Sequence, residues 1–212
     1  MPGLQTFLLF LPAALLVAIT PGPGLFYVLA RTLAGGRTEG LASSVGLGLG
    51  GLVHVFAGAV GLSALVMASA EAFTLVKIAG ALYLIWLGLK TWRDARVVEP
   101  AGLQAAGARR AFREGIVVEA LNPKTAAFFL AFIPQFVAPS ANVAAAFIGL
   151  GLISVALNTS ADLVATCWAA RARAGLARRP AFITRTRQAS GAVLCALGAT
   201  LLLARRMAVT AH

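Results

Sequence analysis

Four side chains able to bind or move a charge, Glu119, Asn122, Lys124 and Asp162, stand inside runs that are otherwise apolar. Ionisable groups in such runs are costly, and where they occur they mark substrate or ion paths. A lysine and the start of a helix can receive a carboxylate. An asparagine, an acid and unpaired carbonyls can receive an ammonium. An acid in a low-dielectric site can also carry a coupling proton. The set suits an amino acid exchanged against a proton. Each member has a structural reading too: Asp162 can bond Thr159 or Ser160, and Glu119 can pair with Lys124 or with an arginine at the edge of its span. His54 reads first as a packing residue, and Lys77 can extend its ammonium toward the interface.

Two interruptions of the helical pattern would position these groups. The first is Thr20-Pro21-Gly22-Pro23-Gly24, inside an apolar run that otherwise reads as one span. The prolines remove backbone donors and clash with a continuing helix, while the glycines ease an unusual backbone. The second is Asn122-Pro123-Lys124. Backbone freed at membrane depth is tolerated only where protein or a water-filled cavity satisfies it, and paired broken helices are a transporter device. At 1.5 Å per residue, Pro23 lies roughly 12 Å, Glu119 roughly 9 Å and Asp162 roughly 13 Å from the nearest arginine that marks the cytoplasmic edge. Both breaks and both acids therefore converge on one level, reached from the cytoplasm.

The frame that holds them is all-α and polytopic. Of 212 residues, 59% are hydrophobic and 12% charged, about half the charged fraction of a soluble domain. Mean hydropathy is +0.87. Six spans are expected, at about 4–29, 40–69, 73–89, 114–137, 142–169 and 188–204, with turns over Arg31–Glu39 and Ala70–Ala72 and a basic loop over Arg171–Arg187. They form one transporter domain, 1–212, with half-repeats about 1–92 and 113–212 and a cytoplasmic linker about 93–112. Of the 18 Lys and Arg residues, fourteen lie in the odd-numbered connections, which places those in the cytoplasm and both termini outside. The net charge of +11 is thus a topology signal, and no basic stripe interleaved with aromatics marks a nucleic-acid surface. Three helices followed by three helices must be related by inversion. Pro21 recurs at Pro123, Gly46-Leu47-Gly48-Leu49 as Gly149-Leu150-Gly151-Leu152, and Gly80-Ala81 as Gly191-Ala192. No phosphate loop, paired-histidine metal motif or nucleophile–base pattern is present, so neither an enzyme nor a cofactor is expected. The two cysteines, Cys167 and Cys195, read as small apolar residues.

Three blocks carry a resemblance: TPGPGLFYVLARTLAGGRTEGLASSVGLGLGGLVHV, LVKIAGALYLIWLGLKTWR and FREGIVVEALNPKTAAFFLAFIPQFV. In order and spacing the chain resembles the LysE/RhtB family of bacterial amino-acid exporters. The resemblance implies a six-helix inner-membrane protein that expels amino acids or their derivatives by proton exchange. Pro21, Gly22, Pro23, Gly40, Gly46, Lys77, Gly80, Tyr83, Leu84, Gly88, Asn122, Pro123, Lys124, Pro134 and Phe136 match its pattern. Two positions depart from it: Gly24 stands where the family often has Asn, and Glu119 where it commonly has Asn.

The reading is a proton-coupled secondary exporter of amino acids or amino-acid derivatives in the cytoplasmic membrane. Its partners are the small solute, protons and lipids. The Gly-rich second and fifth helices could serve a homo-oligomer interface as well as internal packing. Its rivals are a carrier of another solute or cation on the same frame, and a non-transport assembly component.

Overall fold

In the computed structural model, residues 4–68, 70–96, 105–137, 142–176 and 180–203 are described, and all of their regular structure is helical. Helix α1 (Leu4–Ile19) ends at the first Pro-Gly stretch, and α2 (Pro23–Ala68) begins on its second proline. Helix α3 (Ala70–Arg93) follows, with a 3-10 turn at Asp94–Arg96. Helix α4 (Ala108–Ala120) ends at the second break. Helix α5 (Pro123–Ala127) continues through a π-helical turn, Phe128–Phe132, and a 3-10 turn, Ile133–Phe136. Helices α6 (Val143–Leu176) and α7 (Pro180–Leu203) complete the chain.

The described residues contain three stretches long and apolar enough to cross a bilayer: Pro23–Gly61, Ala108–Phe136 and Val143–Arg171. Thr6–Ile19 and Gly191–Thr200 are shorter apolar helices. Several expected turns are helical instead. The turn over Arg31–Glu39 shrinks to Gly36, where φ is 78° and ψ −168°. The flanking Leu, Ala and Arg residues favour helix, and only the glycine tolerates that backbone. This conformation is essentially closed to other residues and costs about 1–3 kcal/mol where it is forced. Gly36→Ala is therefore expected to destabilise the protein by about 2 kcal/mol, read as a lower melting midpoint in detergent; an unchanged midpoint would contradict it. Ala70–Ala72 belong to α3. Most of the basic loop expected over Arg171–Arg187 is helical, as the end of α6 and the start of α7, where Pro180 takes the first helical position. Arg178, Arg179 and the centre of the 93–112 linker lie outside the described residues.

Helix α2 is the hub, packing on α4 and α6, while α3 packs on α7. Close approach explains the Gly-rich stretch. A Cβ on Gly46 would strike the Phe112 carbonyl, and one on Gly50 the Ile116 carbonyl, so α2 lies backbone-to-backbone on α4. Gly48 and Gly51 turn toward Thr159 and Val155 of α6. That density of small residues thus serves packing within the chain. The apolar core joins Phe10, Phe128, Phe129, Phe132 and Phe147. Rings of Phe10 and Phe136 meet edge-on at 5.3 Å, a favourable quadrupolar arrangement.

Candidate functional site

The site begins with what the prolines remove. In an unbroken helix the amide of residue 21 would bond the Val17 carbonyl, and Pro21 has no N–H to offer. The Thr20 amide is shared between the Leu16 and Val17 carbonyls, at 3.0 and 3.2 Å. The missing donors come from the other break. Lys124, 5% exposed, crosses to α1 and its ammonium donates to the Val17 carbonyl at 3.1 Å and the Thr20 carbonyl at 2.9 Å. Gly22 leaves room for that stem: a Cβ there would stand 3.1 Å from Lys124 Cδ. On the far side, α2 restarts cleanly, with Pro23 in its first position and the Phe26 amide bonding the Gly22 carbonyl at 3.0 Å.

The second break is a built helix start. Asn122 Oδ1 accepts the Lys124 amide at 3.1 Å, an N-cap contact, and Pro123 occupies the first position, where its missing N–H costs nothing. The other end of the Asn122 side chain donates from Nδ2 to Glu119 Oε2 at 2.8 Å. Thr125 Oγ1 donates to Glu119 Oε1 at 2.7 Å. Both carboxyl oxygens of Glu119 are therefore engaged as acceptors. The Glu119 carbonyl lies 2.8 Å from His54 Nε2, whose ring packs on Phe129. Glu119 also reaches α2: its Oε2 would be 2.8 Å from a Cβ placed on Gly24. The acid from α4 fills the space a side chain at residue 24 would take.

Asp162 stands opposite on α6, 8% exposed. It faces the same cavity, and among the described residues its carboxyl makes no hydrogen bond or ion pair. Asn158 and Thr159, one turn back on its helix face, line the cavity beside it. The free volume between them is about 20 Å³, room for about one water molecule. The groups crowd closely around this space, and a solute larger than a water fits only if they part.

Gly24, Glu119, Asn122, Lys124 and Asp162 thus line one cavity. Thr20, Pro21, Gly22, Pro23 and Pro123 form the breaks that support it. His54 stands one hydrogen bond behind Glu119. Lys77 is half-buried on α3 and is not part of this wall. Lys124 is placed differently from the expectation. Its ammonium is committed to the carbonyls at the end of α1, and those carbonyls are in turn occupied. The Asn122 amide is likewise committed to Glu119. Thr125, Asn158 and Thr159 were not among the expected site residues. The signal for the last two was their spacing of four and three from Asp162, which puts all three on one helix face.

A second polar cluster ties the first arm of α2 to α4. Arg31 is paired with Glu114, Tyr27 donates to Glu114 at 2.9 Å, and Arg31 Nε donates to the Tyr27 hydroxyl at 3.2 Å. Arg31 was expected to be a loop residue marking topology; it is instead helical and buried, 8% exposed. Glu39, further along α2, accepts the amides of Ala106 and Gly107 at 2.8 and 2.7 Å, holding the start of α4.

The family described as LysE type translocator matches residues 15–205. A protein named as a homoserine/homoserine lactone efflux protein, from Salmonella typhimurium, is 32% identical over 92% of this chain and 95% of its own length. A membrane protein of Vibrio cholerae is 30% identical over 95% of this chain and 98% of its own. A leucine efflux protein of Klebsiella pneumoniae is 29% identical over 64% of this chain and 65% of its own. No solved structure matches the chain.

Proposed function

The chain belongs to the LysE type translocator family, a family of membrane transporters rather than enzymes, and from that premise we propose that it exports amino acids or amino-acid derivatives across the cytoplasmic membrane in exchange for protons. The observation that carries this reading is Asp162: a buried carboxyl with no bonding partner among the described residues, facing a small polar cavity beside two broken helices. Such a group can hold either a proton or a substrate ammonium, and binding one displaces the other. Glu119 is engaged at both oxygens and stays fixed. Homoserine, its lactone and leucine, the solutes in the relatives' names, share an amino group, which fits an acid as the receiving group.

The frame is read as six spans in two inverted halves, the first span comprising α1 and the first arm of α2, and the fourth comprising α4, α5 and the turns that follow. Two features support it. Each half opens with a helix broken by proline, and α2 packs on α6 and α3 on α7, pairing counterparts across the halves. Both termini then face outward and the 93–112 linker faces the cytoplasm. Opening toward the cytoplasm requires the first arm of α2 to part from α4, with Arg31, Tyr27 and Glu114 at that seam.

The test is uptake of labelled amino acids and their derivatives into vesicles that contain the purified protein, with and without an imposed pH gradient. At least one such compound is expected to move about tenfold faster with the gradient, a bias of about 1.4 kcal/mol. If no compound moves under either condition, the reading is wrong.

A further inference from the structure

The charges and donors of the cavity point to a narrower class of substrate. Of the described side chains that line it, three carry charge: Glu119, Asp162 and Lys124. Two acids thus face one ammonium. The donors are also largely spent. Lys124 gives two of its three N–H groups to the Val17 and Thr20 carbonyls. Asn122 and Thr125 donate to Glu119, and the Asn158 amide donates to the Ser154 carbonyl at 2.9 Å. What remains is rich in acceptors, chiefly the two oxygens of Asp162. A primary ammonium finds partners here. A free carboxylate meets two like charges and few donors, and like charges in a water-poor site repel strongly.

The excess negative charge comes from Glu119, and Gly24 is what admits it. A Cβ at residue 24 would stand 2.8 Å from both Glu119 Oε2 and Leu47 Cδ2, so any side chain there displaces the carboxyl. Gly24 and Glu119 are one feature seen from two helices: the polar group facing this corner is supplied by α4 because α2 leaves it empty. We infer that this pair sets substrate choice, and that the site takes amines whose carboxyl is masked, as in an amide, ester or lactone, in preference to zwitterionic amino acids. The inference rests on the exporter reading and narrows it.

Calorimetric titration of the full-length protein in detergent, at near-neutral pH, compares leucine with leucinamide and homoserine with homoserine lactone. The masked member of each pair is expected to bind about tenfold or more tightly than the free acid, a difference of about 1.4 kcal/mol. Glu119→Gln keeps the shape and removes the charge, and should bring the ratio close to one. Gly24→Ala should shift the ratio the same way by displacing the carboxyl; together with the wild-type ratio it carries the test if Glu119→Gln does not fold. Equal or reversed affinities in the wild type would overturn the inference while leaving export standing, as would a ratio unmoved by either substitution. Binding of none of the four compounds would overturn this inference and count against the exporter reading with it.

Discussion

Asp162→Asn is expected to lower transport about a hundredfold or more in every mode, net export and exchange alike, because removing one partner of the buried pair proposed between Asp162 and the substrate ammonium costs about 3–5 kcal/mol and each 1.36 kcal/mol is a factor of ten in rate. The acid is assigned two duties that exclude each other in time. On the proposed exchange it would hold the proton on the inward step and the substrate ammonium on the outward step. An amide of the same shape can do neither. Structure should survive the change. Asp162 makes no hydrogen bond or ion pair among the described residues, so its loss strands no partner, and removing a buried charge relieves a desolvation cost. The melting midpoint in detergent should therefore hold or rise while transport collapses. Transport within a few-fold of wild type would remove Asp162 from the mechanism, and a large fall in midpoint would make it a structural residue.

Lys124→Met should do the reverse, acting first on the fold. The ammonium donates to the Thr20 carbonyl and to the Val17 carbonyl, which otherwise has only its share of the Thr20 amide among the described residues. Methionine fills a similar volume and donates nothing. Two buried carbonyls would lose these donors, at about 1–3 kcal/mol each, and the two acids of the cavity would lose their one opposing charge. A loss of about 2–6 kcal/mol is a large share of the stability of most domains, so reduced folded yield and a midpoint lower by many degrees are expected. Lys124→Arg retains charge and donors and should recover part of the midpoint, limited by the room beside Gly22. A Lys124→Met protein as stable as wild type would mean that the first break is held by something else.

These two outcomes differ because the cavity divides labour between holding the fold and handling the solute, and that division was only partly visible in the primary structure. The breaks were legible because proline's missing donor is a property of single residues, readable at Pro21, Pro23 and Pro123 wherever they occur. The convergence of Glu119, Asn122 and Asp162 was legible because helical rise converts residue number into depth. The partnership of Lys124 with Val17 and Thr20 was not, since it joins positions about a hundred residues apart and depends on how two helices cross. For the same reason the primary structure suggests a substrate carboxylate as a partner for Lys124 and gives no sign of its two backbone bonds. Gly36 was hidden by its neighbour Gly35: two adjacent glycines in a turn-like stretch do not reveal that one carries the whole break and the other stays helical. Arg31 followed the statistics of loop arginines until Glu114 and Tyr27 were found beside it. Gly24 and Glu119 each stood out as departures from the family pattern, and their contact makes them one change.

The exporter proposed here must couple solute and proton at one site. The most direct measurement traps a pH-sensitive dye inside vesicles that contain the protein and adds amino compounds outside, with no gradient imposed. The wild type is predicted to change the luminal pH when a transported compound is added and to leave it unchanged for compounds that are not carried; Asp162→Asn vesicles should show no change for any. Movement of a labelled compound through the wild type with no accompanying proton movement would contradict it.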